Sequence, residues 1–224
     1  MFSKTSFFVL LGLALIVERD ACAQSETQAS IAFTCAVSTP GKSFLEVDGQ
    51  DLSPSGFVAG RTTGWIRLPA GKHSFKAEQQ PGGSVELSLE LAAGESKVLV
   101  LYTEFVAPEK PGRPPRPELR LLAIPHIAQT QKAHPRVMKI YNLISDAVTL
   151  TTDQPDVNEV AVEPKKLQVV GFKGKVGFVS LTEKTEPPAP EPMISVNFQE
   201  PSTFFILLYE AEAGKRKAIS LEAP

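Results

Sequence analysis

The chain predicts an all-β protein: two tandem small antiparallel β-sandwich domains of the immunoglobulin-like kind, related as an internal repeat. The first observation is a pair of matching apolar runs, Lys97-Val98-Leu99-Val100-Leu101-Tyr102-Thr103-Glu104 and Thr203-Phe204-Phe205-Ile206-Leu207-Leu208-Tyr209-Glu210. Each is too short to span a membrane and reads as a strand buried on both faces of a packed sheet. The second is that their surroundings match. An alternating segment precedes each, Val85 to Leu91 and Met193 to Phe198, and a short strand ending in proline follows each, Leu119 to Pro125 and Ala218 to Pro224. The third is the spacing of the remaining strand signals, roughly every ten residues with turn chemistry between them and no convincing helical period.

Taken in order, strand signals begin at Ile31 after a polar arm, Gln24 to Ser30. Pro40-Gly41 makes a first turn, and Ser43 to Leu52 carries Asp48-Gly49, a strong hairpin dipeptide. Gly64 to Phe75 reads as a strand, a Pro-x-Gly turn at Pro69-Ala70-Gly71, and a return strand. Pro81-Gly82-Gly83 and Ala93-Gly94 turn into the alternating and the central strand. Val106 to Pro117 holds too many prolines for a helix or a central strand, so it is expected to be a stiff hairpin excursion within the first domain. The expected limits are 30–125 for domain one, 126–134 for a linker and 135–224 for domain two. Domain two opens on Arg136 to Leu143 and continues through Val148-Thr149-Leu150, Val160-Ala161-Val162, Leu167 to Val170 and Val176 to Leu181. A second proline-rich insertion, Glu186 to Pro192, precedes Ile194.

The first 23 residues have the pattern of an export signal: Lys4, an apolar run from Phe7 to Val17, and Ala21-Cys22-Ala23 as a cleavage site. The apolar run is shorter than the roughly 20 residues a spanning helix needs. Arg19-Asp20-Ala21 does not make a lipobox, so Cys22 reads as part of the cleavage site and not as a lipid anchor. The expectation is a periplasmic or extracellular protein with no membrane span in its mature chain. Cys35 is then the one mature cysteine. It lies in the apolar run Ile31 to Val37 and reads as a buried core residue, with an intermolecular disulfide or reactive thiol as the alternative. A formal net charge of −2 over 224 residues leaves no basic field for nucleic acid.

Catalytic motifs are scarce. There is no nucleophile elbow, phosphate loop, H-E-x-x-H or C-x-x-C pattern, and no cofactor is expected. His73, His126 and His134 lack ligand spacing and read as solvated surface residues, against a metal site assembled in space. Carboxylates such as Asp48 with Asp51, or Glu210 with Glu212, match a glycosidase only if folding sets two of them across a cleft. Lys165, Lys166, Lys173 and Lys175 form a small basic cluster, read as a solvated rim or as a seat for an anionic polysaccharide.

Trp65 stands out. If Ile66 and Leu68 point inward, alternation puts Trp65 and Arg67 on the opposite face. An exposed indole with Arg67 and Lys72 nearby is the expected contact with a ligand or partner. The competing reading packs Trp65 against the neighbouring domain or the proline-rich excursion.

Two passages carry a family resemblance. Trp65 to Phe75, with its strand, Pro-x-Gly and strand, resembles the bacterial secreted domains catalogued as domain of unknown function 4397, and Arg136 to Leu143 resembles the strand that opens such repeats. The latter passage and the tandem layout also resemble the periplasmic accessory protein of alginate O-acetylation. The resemblance implies an exported, non-catalytic β-protein working through protein or polysaccharide contacts. The proline-rich insertions depart from that pattern. The expected function is therefore an adaptor or structural component of the bacterial cell envelope acting through protein contacts; the alternative is a carbohydrate-binding accessory protein of exopolysaccharide assembly or O-acetylation.

Overall fold

A computed structural model describes residues 27–108, 112–126, 136–173, 177–187, 189, 191–198, 202–212 and 214–222. The export signal with Cys22, His134, Lys175 and most of the expected linker lie outside the described residues. Among the described residues every regular element is a strand, and the first half comprises β1 (Gln28–Ala36), β2 (Lys42–Val47), β3 (Gln50–Asp51), β4 (Ile66–Pro69), β5 (Gly71–Gln80), β6 (Gly83–Leu91), β7 (Ser96–Val106) and β8 (Arg116–Pro125). The second half comprises β9 (Arg136–Asn142), β10 (Val148–Gln154), β11 (Val157–Val162), β12 (Leu167–Phe172), β13 (Phe178–Glu183), β14 (Ile194–Asn197), β15 (Thr203–Glu212) and β16 (Lys215–Glu222).

The two halves share one topology. In the first, a sheet ordered β4-β1-β7-β8 faces a sheet ordered β3-β2-β5-β6; in the second, β12-β9-β15-β16 faces β11-β10-β13-β14. Position by position this is the same sandwich twice. Even the exceptional pairing recurs: β1 runs parallel to β7, and β9 runs parallel to β15, while every other neighbouring pair is antiparallel.

The apolar runs follow from what covers each face. Along β7, Leu99 and Leu101 enter the core of the first sandwich, with Phe33, Leu45 and Phe75. Val98, Val100 and Tyr102 point the other way, into a separate apolar cluster with Phe205, Leu207 and Tyr209 of β15. β15 repeats the arrangement, its Ile206 and Leu208 joining Met138, Phe172 and Phe198 in the second core. The sheets therefore stack in four layers. The two sheets that contain β7 and β15 meet at an apolar seam, and the sheets that contain β5 and β13 face outward on opposite sides.

Turn chemistry explains most of the connections. Asp48 and Gly49 both have positive φ (51° and 78°), the backbone of a two-residue hairpin turn that links β2 to β3. The proline-rich excursion is the hairpin loop between β7 and β8, whose ladder closes at Val106 opposite Arg116. It is shorter than expected, because Arg116 and Pro117 belong to β8. As an edge strand, β8 tolerates a proline. One expectation is corrected: Pro69-Ala70-Gly71 does not join a hairpin. β4 pairs with β1 and β5 pairs with β2 and β6, so this turn is a corner at which the chain passes from one sheet to the other. A Pro-x-Gly signal specifies a change of direction and leaves the next partner open.

Candidate functional site

The residues singled out from the sequence fall on two different surfaces. Alternation along β4 is as expected, with Ile66 and Leu68 packing on the first core. Trp65 and Arg67 lie on the opposite face, and that face is the seam side. Trp65 is half-buried there. Its ring centroid lies 5.2 Å from that of His126, and Nε1 donates to the backbone oxygen of Glu222 at 3.1 Å. Arg67 is exposed farther along the same face. Lys72 is exposed on the outward face of β5, so it does not share a surface with Trp65.

Sequence reasoning missed how the seam is built. His126 follows β8 and donates its backbone N–H to Ser96. Its side chain is 3% exposed, held between Trp65 and Phe205, whose centroid is 6.1 Å away. Among the described residues neither ring nitrogen has a hydrogen-bond partner. Lys139 of β9 is also 3% exposed and lies in register with Phe205. Burial pulls the Lys139 pKa down. Burial first, and the Lys139 charge second, push the His126 pKa down to about 4. The expectation that the histidines are solvated is thus corrected for both described ones. His126 was hidden because its surroundings are assembled from β4, β9 and β15, distant in sequence.

Lys165 crosses the same seam at its other end. Held in a turn with φ 56°, it donates to the Leu143 carbonyl at 2.8 Å. It also pairs with Glu104 at 3.1 Å and stands 4.7 Å from the centre of the Tyr102 ring. Burial works against the Glu104 carboxylate, yet Lys165 and Arg120 together hold its pKa below the usual range. Lys165 is therefore an interdomain tie; like Lys166 and Lys173 it is exposed, but its ammonium is engaged across the seam.

His73 sits at the corner between β4 and β5. Nδ1 lies 2.7 Å from Asp48 Oδ2 and Nε2 lies 2.8 Å from the Pro69 carbonyl. Both partners are acceptors only, so the site favours a ring protonated on both nitrogens. The Asp48 hydrogen bond chiefly raises the His73 pKa. Asp48 in turn is lowered, first by the Ser74 N–H and then by His73. The other candidate carboxylates are also engaged locally: Asp51 accepts from the Ser53 N–H, Glu210 from the Gly214 N–H, and Glu212 pairs with Lys215. Among the described residues no group of three or more His, Cys, Asp or Glu is arranged to hold a metal.

Cys35 is fully buried. Its Sγ lies 3.1 Å from Ser43 Oγ, which donates onward to Gln79, and burial raises the thiol pKa. A thiol in that environment is a small core residue rather than a nucleophile.

The two outward faces differ. On the first sandwich, alternating residues of β2, β5 and β6 set Glu46, Lys76 and Glu86 in one cross-strand row and Lys72 opposite Glu90. On the second, the outward residues include Thr149, Thr151, Thr182, Ser180 and Ser195, with Ser180 Oγ 2.9 Å from Ser195 Oγ. Phe178 ends that row and is 65% exposed. An open depression of about 740 Å³ lies over the threonines, bordered by the Glu159–Lys184 ion pair. No protein-family model matches the chain, and comparison with curated proteins finds no relative.

Proposed function

We propose that the protein is an exported, non-catalytic adaptor or structural component of the bacterial cell envelope that works through protein contacts. The observation that carries this reading is the four-layer stack. Docking the two like sheets at the seam turns two sandwiches into one body with two outward faces, one a lattice of alternating charge and the other hydroxyl-rich with a bare phenyl ring. Two unlike faces held on opposite sides suit a protein that joins two different partners. The engagement of Asp48, His73, Glu104, Glu210 and Glu212 in local structure supports a non-catalytic role. The export pattern and the resemblance to secreted bacterial β-domains support the location.

The test is capture from a native envelope extract with the mature chain and two face variants, Lys76→Glu with Lys72→Glu on one side and Phe178→Ser on the other. An adaptor loses a different, identified protein with each variant while both variants keep the parent circular dichroism. If neither variant changes what is bound, the two-faced reading is wrong. A carbohydrate-binding accessory role is the second reading, and one observation favours it: an exposed Phe178 ring on the same strand face as the paired Ser180 and Ser195 hydroxyls offers stacking and hydroxyl contacts together. Loss of a glycan, rather than a protein, with Phe178→Ser would put that reading first.

A further inference from the structure

Two basic groups, His126 and Lys139, are buried on the two sides of the seam. Among the described residues His126 is buried with both ring nitrogens unpartnered, and Lys139, 3% exposed, stands on the facing sheet with its pKa lowered by burial. Native interiors pair such groups almost without exception. Both sit between the sandwiches rather than inside either one. His126 belongs to the first half and Lys139 to the second, and the ring lies against Trp65 on its own side and Phe205 across the seam.

We propose that the seam is an acid-sensitive dock: protonation of His126, with Lys139 on the facing sheet, loosens the packing of the two inner sheets and leaves each sandwich folded. The neutral ring has one N–H without an acceptor. A second proton adds another unsatisfied N–H and a full charge, with a like charge opposite. Separation of the halves returns both groups to water and removes both penalties, whereas the two cores do not contain these groups and have nothing to gain from opening.

The other charged groups on the surrounding strands do not supply a counter-ion. Arg67 of β4 shares the seam-side face and adds positive charge, while Arg136 alternates with Met138 and Ile140 on the face of β9 away from the seam. Glu95 beside β7 is already paired with Lys97 at 3.1 Å. Glu222 of β16 offers its backbone carbonyl to Trp65 while its side chain is exposed. A histidine released from the seam regains its ordinary pKa of about 6.5, so the gap to about 4 in the docked state weakens docking by up to about 300-fold on acidification. The weakening begins as pH falls through the released value and is complete below the docked one.

Trp65 is the only tryptophan in the chain and touches His126, so the chain carries its own reporter. The experiment follows Trp65 emission, the small-angle scattering radius and far-ultraviolet circular dichroism from about pH 7.5 to about pH 4. The expected result is a reversible red shift and a larger radius between about pH 6.5 and about pH 4, with unchanged dichroism. In His126→Phe the transition disappears. A parent chain that keeps its radius until its dichroism is lost overturns the proposal, and so does an unchanged transition in His126→Phe. If that variant does not fold, the imidazole proton resonances of the parent decide: a seam histidine that titrates near its ordinary pKa in the docked protein defeats the idea.

Discussion

The corner at His73 and the seam at His126 are two buried histidines whose surroundings push their pKa in opposite directions. Their exposures are close, 8% and 3%. The difference is in the partners. His73 has an acceptor at each nitrogen, one of them a carboxylate, and its charged form is favoured. His126 has aromatic rings on both sides and an ammonium nearby, and is held neutral. Burial alone pushes any histidine toward the neutral form, and two well-placed acceptors are enough to reverse it. The corner is local, made by residues from Asp48 to Ser74, whereas the seam draws on both halves of the chain.

The largest effect should come from removing the packing that the seam relies on. Phe205 is 1% exposed and lies edge-on to His126. Phe205→Ala should cost about 3–5 kcal/mol in urea unfolding, the usual range for a large buried aromatic. It should also separate the unfolding of the two sandwiches into distinguishable steps, because the cluster lost is the one they share. A single transition with less than about 1 kcal/mol lost would show that the seam is not tightly packed in solution.

Titration tests the same comparison more finely. The folded pKa of His126 lies below its unfolded value, so its neutral form stabilises the protein fully above about pH 6.5, and that contribution fades as pH falls toward about 4. The loss amounts to about 3 kcal/mol at most. Chemical-denaturation curves at successive pH values should show it, and His126→Phe should flatten that limb. A variant curve with the parent's slope would assign the acid loss to carboxylates instead.

Lys139→Met goes in the opposite direction. It replaces a lysine whose charge burial disfavours by an apolar chain of similar length, in register with Phe205. Replacing buried charges by packed apolar groups stabilises by about 1–4 kcal/mol in the studied cases, and about 2 kcal/mol is expected here at neutral pH. A higher urea midpoint with an unchanged slope is the signature. A lower midpoint would mean that Lys139 makes a favourable contact in solution.

The fold was far more legible than these sites. Two continuous apolar strands, each with an alternating strand before it and a short strand after it, were enough for two copies of one sandwich, and the Asp48-Gly49 hairpin was readable from its dipeptide. The runs also contained the seam in latent form, since a strand apolar on both faces needs a cover on each side. What could not be read was which surface supplies the second cover. His126, Lys139 and Lys165 look like ordinary polar residues along the chain and become unusual only when two sheets meet. Trp65 shows the same limit: period-two alternation placed it on the correct face, but what lies opposite that face is decided by residues 60 to 160 positions away.

The smallest effect belongs to the corner, and it should appear on the alkaline side. The His73 pKa is raised by Asp48, so the charged ring contributes stability that is complete below about pH 6.5 and is lost as pH rises through the raised folded value. His73→Gln keeps a donor for the Pro69 carbonyl and removes the titration. Its melting temperature should therefore change less than that of the parent between about pH 6 and about pH 9, while the acid limb due to His126 stays as it was. The two limbs are separable because the corner lies within one sandwich and the seam lies between two. If His73→Gln altered the acid limb instead, the corner and the seam would be coupled through β4, the strand that carries Pro69 at one end and follows Trp65 at the other.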